Sequence, residues 1–66
     1  MNVIVNGERV DVDDGSTLKE LVDARLASTR GVAAAVDGSV VPHGTWPTFV
    51  LRPGQAVELL TAVQGG

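Results

Sequence analysis

The sequence predicts an α+β domain in which a mixed sheet of four to five strands wraps on one helix. Three observations carry that expectation. Two alternating apolar stretches are joined by Asn6-Gly7, one helical stripe follows Thr17, and two later β-type stretches are set off by the turn pairs Asp37-Gly38 and Pro53-Gly54. Runs of strands arranged around a single helix belong to the α+β class.

Met1 to Val5 places Met1, Val3 and Val5 on one side and Asn2 and Ile4 on the other, with the β-branched content of a strand. Asn6 and Gly7 both tolerate the positive φ of a tight reversal. Arg9 to Asp13 then alternates again, so that Val10 and Val12 share a face with Val3 and Val5. The first third is therefore a hairpin with one apolar face. After Asp14-Gly15-Ser16 breaks the pattern, Thr17 and Glu20 have capping-box spacing. Leu18, Leu21, Val22 and Leu26 then form one helical stripe. The helix is expected from about Leu18 to Ala27, with Gly31 as its terminator.

Gly31 to Val36 is short and apolar and reads as a buried strand before the Asp37-Gly38 turn. Ser39-Val40-Val41 pairs back as an arm that Pro42 ends. His43 to Pro47 reads as loop, with Trp46 as a plug and Phe49 beside it in the core. Thr48 to Leu51 is either a short strand or a turn. The last strand, Val57 to Ala62, is apolar on both faces, which suits a central position. Placed beside the first strand in parallel, it completes the β-grasp, or ubiquitin-like, arrangement. The expected organisation is one domain over residues 1–66, with residues 63–66 as a flexible C-terminal tail.

The bulk properties narrow the function. The 66 residues contain no cysteine, which excludes disulfide scaffolds, thiolate metal sites and cysteine nucleophiles. A net charge of −3, with Arg9, Lys19, Arg25, Arg30 and Arg52 scattered, argues against nucleic acid as a partner. No apolar run approaches the roughly 20 residues that span a bilayer, and no basic region precedes the first apolar stretch. The expected location is the cytoplasm, away from membranes. His43 is the one histidine, and no nucleophile elbow surrounds Ser16, Ser28 or Ser39, so a hydrolase triad with Asp37 is discarded. A single histidine without cysteine also makes no metal cluster. His43 is expected to be solvated, and the acidic run Asp11, Asp13 and Asp14 to be a solvated turn.

What remains is the end of the sequence. Gly65-Gly66 follows the last strand within a few residues and presents an α-carboxylate on a thin stalk. Glycine lacks Cβ, so such a stalk passes through a slot too narrow for other side chains. The carboxylate, with an ordinary pKa of roughly 3.5, is ionised and inert until activated. Four extended residues, Val63 to Gly66, reach about 13 Å. Ile4, Leu60 and Ala62 fall on the strand faces turned away from the helix. With the first and last strands adjacent, they are expected to form an apolar docking patch near the tail.

The whole chain resembles the ThiS family, sulfur carriers of thiamin (thiazole) biosynthesis. The resemblance rests on Val3-Ile4-Val5-Asn6, Thr17-Leu18-Lys19-Glu20-Leu21, and Val36 to Pro42 with Trp46 four residues on. Pro53-Gly54, Val57-Glu58-Leu59-Leu60 and the ending Val63-Gln64-Gly65-Gly66 complete it. It implies a protein co-substrate that is not itself an enzyme. An E1-like, ThiF-like adenylyltransferase would use ATP and magnesium to convert the Gly66 carboxylate to an acyl-adenylate, the chain itself binding no cofactor. Sulfur from a cysteine desulfurase or a related donor would replace AMP to give a Gly66 thiocarboxylate. A ThiG-like thiazole synthase would take up that sulfur, with Val63, Gln64 and Gly65 leading the terminus into partner sites. Other readings at this stage are a molybdopterin synthase small-subunit-like carrier, a ubiquitin-like modifier and a β-grasp interaction module.

Overall fold

The computed structural model describes residues 1–61, and its strands form one five-stranded mixed sheet in the order β2-β1-β5-β3-β4. Strand β1 (Asn2–Val5) pairs antiparallel with β2 (Glu8–Asp11), Val3 opposite Val10 and Val5 opposite Glu8. Asn6 and Gly7 close the hairpin at φ 49° and 84°. That left-handed conformation of both central residues is what Asn-Gly supplies in a two-residue turn. Beyond β2, the Met1 amine and the Val12 carbonyl, and the Val12 amide and the Met1 carbonyl, extend the ladder at 2.7 and 2.8 Å.

Helix α1 (Leu18–Arg25) opens on the expected capping box. The Glu20 amide donates to Thr17 Oγ1 at 3.2 Å and the Thr17 amide donates to Glu20 Oε1 at 2.9 Å. Two of the amides left free at a helix start are thereby satisfied. Leu18, Leu21 and Val22 are buried against Val3, Val5, Val57 and the other core side chains of the sheet. Each such side chain contributes about 1.5–3 kcal/mol on burial, which is what holds a domain of this size together.

The helix ends earlier than the sequence indicates. It stops at Arg25 because Leu26 packs half-buried against the core in an extended conformation, φ −127° and ψ 139°. Gly31, the expected terminator, instead sits at φ 71° and turns the chain into β3 (Val32–Val36). β4 (Ser39–Val41) pairs back onto β3 through the Asp37-Gly38 turn. β5 (Ala56–Thr61) lies centrally, parallel to β1 and antiparallel to β3. Its burial alternates, with Val57 and Leu59 inward and Ala56, Glu58 and Leu60 outward.

His43 to Pro47, expected as loop, lies within a 3₁₀ helix over His43–Thr48 that buries Trp46. Trp46 is the plug the sequence indicates: its Nε1 donates to the Val41 carbonyl at 2.8 Å. Phe49 packs against the core but is only half-buried. Of Thr48 to Leu51, Val50 alone makes a bridge, with Thr17. The amides of Leu18 and Leu51, donating to the carbonyls of Phe49 and Ser16 at 2.8 Å each, hold this segment to the helix start. Among the described residues no helix is long and apolar enough to cross a membrane.

Candidate functional site: the open sheet face and the base of the last strand

The sheet buries one face under α1 and leaves the other open. On the open face stand Ile4 of β1, Glu58 and Leu60 of β5, Ala33 and Ala35 of β3, and Val40 of β4. Ile4 is 36 % exposed, Leu60 66 % and Val40 76 %. Alternation places these side chains away from the helix because their chain neighbours fill the core.

The two described members of the expected patch, Ile4 and Leu60, share this face but not a level on it. Ile4 pairs with Ala56, whereas Leu60 lies four residues further along β5 and opposite Ala33. At a strand rise of about 3.3 Å per residue the offset is roughly 13 Å. Glu58 stands between the two levels, opposite Ala35. Leu60 therefore groups with Ala33, and Val40 with Ala35, on the β3–β4 side of the sheet. The run Val32 to Val36 is apolar throughout and does not mark those small β3 residues as outward. It carries no sign that they line up beside Leu60, which depends on register.

The base of the last strand is held from both sides. β3 pairs with it from Val57 to Thr61, and β1 pairs at Ala56 and Val57. Where β1 ends, the Asn6 side chain takes over: the Leu59 amide donates to Asn6 Oδ1 at 2.8 Å, and Asn6 Nδ2 donates to the Leu59 carbonyl at 3.3 Å. At the other end Asp37 performs a similar task. Its carboxylate accepts from the Ala56 amide at 3.0 Å and from Gln55 Nε2 at 3.2 Å, with the Asp37 backbone at φ 51°. The expected site residues Ala62, Val63, Gln64, Gly65 and Gly66 lie outside the described residues.

The other chemistry-bearing side chains have structural partners. Ser16 Oγ donates to the Asp13 carbonyl at 2.6 Å, and the Arg30 amide donates to Ser28 Oγ at 3.2 Å. His43 is exposed, as expected, but it is also held in place. One ring nitrogen meets the Val32 carbonyl, and the ring stacks on Trp46 with centroids 4.0 Å apart and planes 23° from parallel. The reason is the 3₁₀ spacing, which eclipses residues three apart. The acidic run also has a partner: Asp11 and Asp14 lie 3.5 and 3.4 Å from the Met1 ammonium. Desolvation lowers the pKa of this amine, but the hydrogen bonds and charges of Asp14 and Asp11 together outweigh it and raise the group above its ordinary value of 8.0. Among the described residues no three His, Asp or Glu side chains come together as a metal site.

The described geometry is a strand pinned at the centre of a sheet with an open face beside it. Comparison with known proteins agrees. The ThiS family model matches residues 3–66. The sulfur carrier protein ThiS of Escherichia coli (strain K12) is 24 % identical over 66 residues, covering all of both chains. A crystal structure of the thiamine biosynthesis protein ThiS from Geobacter metallireducens superposes with a TM-score of 0.84 at 30 % identity, again covering both chains completely. A solution structure of a thiamine biosynthesis protein from the same organism gives a TM-score of 0.80 at 30 % identity, over all of this chain and 88 % of that one.

Proposed function

The chain belongs to the ThiS family of sulfur carriers, and on that premise we propose that it carries sulfur as a thiocarboxylate at Gly66 for the thiazole ring of thiamin. The observation that supports this reading most directly is that the family match runs through Gly65 and Gly66. The β-grasp body supplies a strand held by β3 up to Thr61 and on its other flank by β1 and Asn6 as far as Leu59, and Thr61 stands five residues short of the reacting carboxylate.

A carboxylate resists nucleophiles because attack must add charge to a group that is already anionic. Activation removes that obstacle. The Gly66 carboxylate attacks the α-phosphorus of ATP on a ThiF-like adenylyltransferase, with magnesium held by that partner, and pyrophosphate leaves. The terminal sulfur of a persulfide on a cysteine desulfurase or a related donor then displaces AMP at the acyl carbon, and a thiol reductant cleaves the resulting acyl disulfide, leaving a disulfide behind and freeing the Gly66 thiocarboxylate. The thiocarboxylate is presented to a ThiG-like thiazole synthase. Throughout, this chain acts as a co-substrate: Gly65 and Gly66 give narrow access, while Val63 and Gln64 span the distance from the sheet. The open face with Ile4 and Leu60 serves as the docking surface, together with Ala62 beyond the described residues, in a chain that works in the cytoplasm.

The test is direct. The full chain is incubated with an adenylyltransferase of this type, ATP, magnesium and a sulfur source, and its intact mass is taken. Exchange of one oxygen for sulfur at the C-terminus supports the reading. An unchanged mass, together with full complementation of a thiamin auxotroph by a chain lacking Gly66, overturns it.

A further inference from the structure

The sheet has a free edge that the carrier reading does not use. Among the described residues β2 pairs on one side only, with β1. In the antiparallel ladder the Met1–Val12 pair exchanges both of its bonds, and pairing alternates from there. Val10 and Glu8 therefore point their backbone groups at β1, and the amides and carbonyls of Arg9 and Asp11 point outward. Edge groups of this kind are a template for another strand.

Beside that edge, between β2 and α1, lies a cleft of about 390 Å³. Its apolar lining is Val10 and Val12 from the β2 side and Leu21 and Ala24 from α1. Val10 and Val12 are half-buried and Ala24 is exposed, so the apolar floor is incompletely covered. Its border is acidic, with Asp11, Asp13 and Glu20 around it. The cation at its border, Arg25, is shared with Glu8 at 3.4 Å. Around the edge and cleft, five acids (Glu8, Asp11, Asp13, Asp14 and Glu20) stand against three cations, Arg9, Arg25 and the Met1 ammonium, an excess of two negative charges. A second copy of this chain would bring the same excess of negative charge to the edge, which argues against self-pairing.

We propose that the β2 edge and the β2–α1 cleft form a strand-addition groove for an extended basic peptide segment of a partner protein. The segment pairs its backbone with Arg9 and Asp11. Alternate apolar side chains lie over Val10, Val12, Leu21 and Ala24, and its lysines or arginines meet the acidic border. Main-chain pairing then supplies affinity, and the cleft with its charge supplies selectivity. The groove lies at a sheet edge, away from the open face on which Ile4 and Leu60 stand, and its use does not depend on the sulfur-carrier reading.

The isotope-labelled full chain is titrated with three short synthetic peptides: one alternating lysine with valine or leucine, one with glutamate in place of every lysine, and one interrupted by a central proline. The basic peptide is expected to bind alone, shifting the amides of Arg9, Asp11, Leu21 and Ala24 and slowing hydrogen exchange at Arg9 and Asp11. Ala24→Gln, which fills the floor, and Asp13→Lys, which reverses the border, should each weaken it about tenfold while leaving the spectrum otherwise native. Added salt should weaken it further. The proposal is overturned by no binding, by equal binding of the glutamate or proline peptide, by shifts confined to the Ile4 and Leu60 face, or by sedimentation showing a dimer of this chain paired through β2.

Discussion

The side-chain amide of Asn6 makes both backbone hydrogen bonds of Leu59, 53 residues further along the chain, accepting at 2.8 Å and donating at 3.3 Å. β1 has run out at Val5, and its parallel register with β5 spans only Ile4 with Ala56 and Val5 with Val57. The Asn6 amide presents one acceptor and one donor, as a peptide group does, so it prolongs the ladder beyond the end of the strand. The same residue holds φ 49° in the hairpin turn. Asparagine is among the few side chains that tolerate that backbone region and also carry both bonding groups.

Substitutions at Asn6 separate these two roles. Asn6→Gly keeps the turn and removes both bonds, and should cost about 1–3 kcal/mol for two partly buried backbone groups left without protein partners. Asn6→Ala removes the bonds and also strains the turn, so it should cost more than Asn6→Gly. Asn6→Asp keeps the acceptor for the Leu59 amide but sets a carboxylate against the Leu59 carbonyl, and should also destabilise. Urea midpoints at a shared slope measure all three; an Asn6→Gly chain as stable as the parent would show that the side-chain bonds contribute nothing.

Trp46 fills the end of the core and donates to Val41, and the two contributions can be told apart. Trp46→Phe retains an aromatic ring and removes one of two hydrogen bonds to the Val41 carbonyl, which still accepts from Ala34 in the β3–β4 ladder, with an expected loss of about 0.5–1.5 kcal/mol. Trp46→Ala also opens a cavity and should cost about 3–5 kcal/mol. That is comparable with what one core supplies to a domain this small, roughly 3–5 kcal/mol, so the alanine chain should be largely unfolded by circular dichroism.

Much of this fold is legible in the sequence where the deciding interaction is local. Asn6-Gly7 specifies its turn through φ, and Thr17 with Glu20 specifies the helix start through two hydrogen bonds three residues apart. The central place of β5 is legible from apolar residues on both of its faces. The failures are tertiary. Leu26 leaves the helix because the core takes it up in an extended conformation, which no propensity near Ala27 or Gly31 reveals. His43 stacks on Trp46 only once a 3₁₀ helix forms around Pro47. At the candidate site, alternation tells which face Ile4 and Leu60 occupy. Their level along β1 and β5 depends on a parallel register between segments distant in sequence, and no turn between them sets it.

In a chain with a free amine at Met1, stability should fall at alkaline pH. The ammonium lies between Asp11 and Asp14, which hold its pKa above the ordinary 8.0 despite partial desolvation. A raised folded-state pKa means that the stabilisation is fully present below the unfolded value. It is lost as pH climbs from about 8 through the folded value. Denaturation midpoints of the free and N-acetylated chains should therefore differ near neutrality and converge at high pH. A constant difference across that window would show that the amine does not contribute through its charge.

Adjacent residues of β5 should respond oppositely to the same charge. Leu59 is 8 % exposed and faces the core, whereas Leu60 is 66 % exposed on the open face. Leu59→Asp buries a carboxylate without a partner, a change that costs several kcal/mol and should leave the domain unfolded. Leu60→Asp keeps its carboxylate in water and should change the melting temperature little. If the open face docks the adenylating partner, Leu60→Asp should nonetheless weaken that complex about tenfold or more, since it places a charge at the apolar centre of the contact. Ala33→Asp, opposite Leu60 in the register, should do the same. Ile4→Asp, at a level about 13 Å away, then maps how far the contact extends along β1. Calorimetric titration of each folded variant against the adenylyltransferase decides the matter: unchanged affinity for both Leu60→Asp and Ala33→Asp would remove the open face from the interaction and leave docking to the segment beyond Thr61.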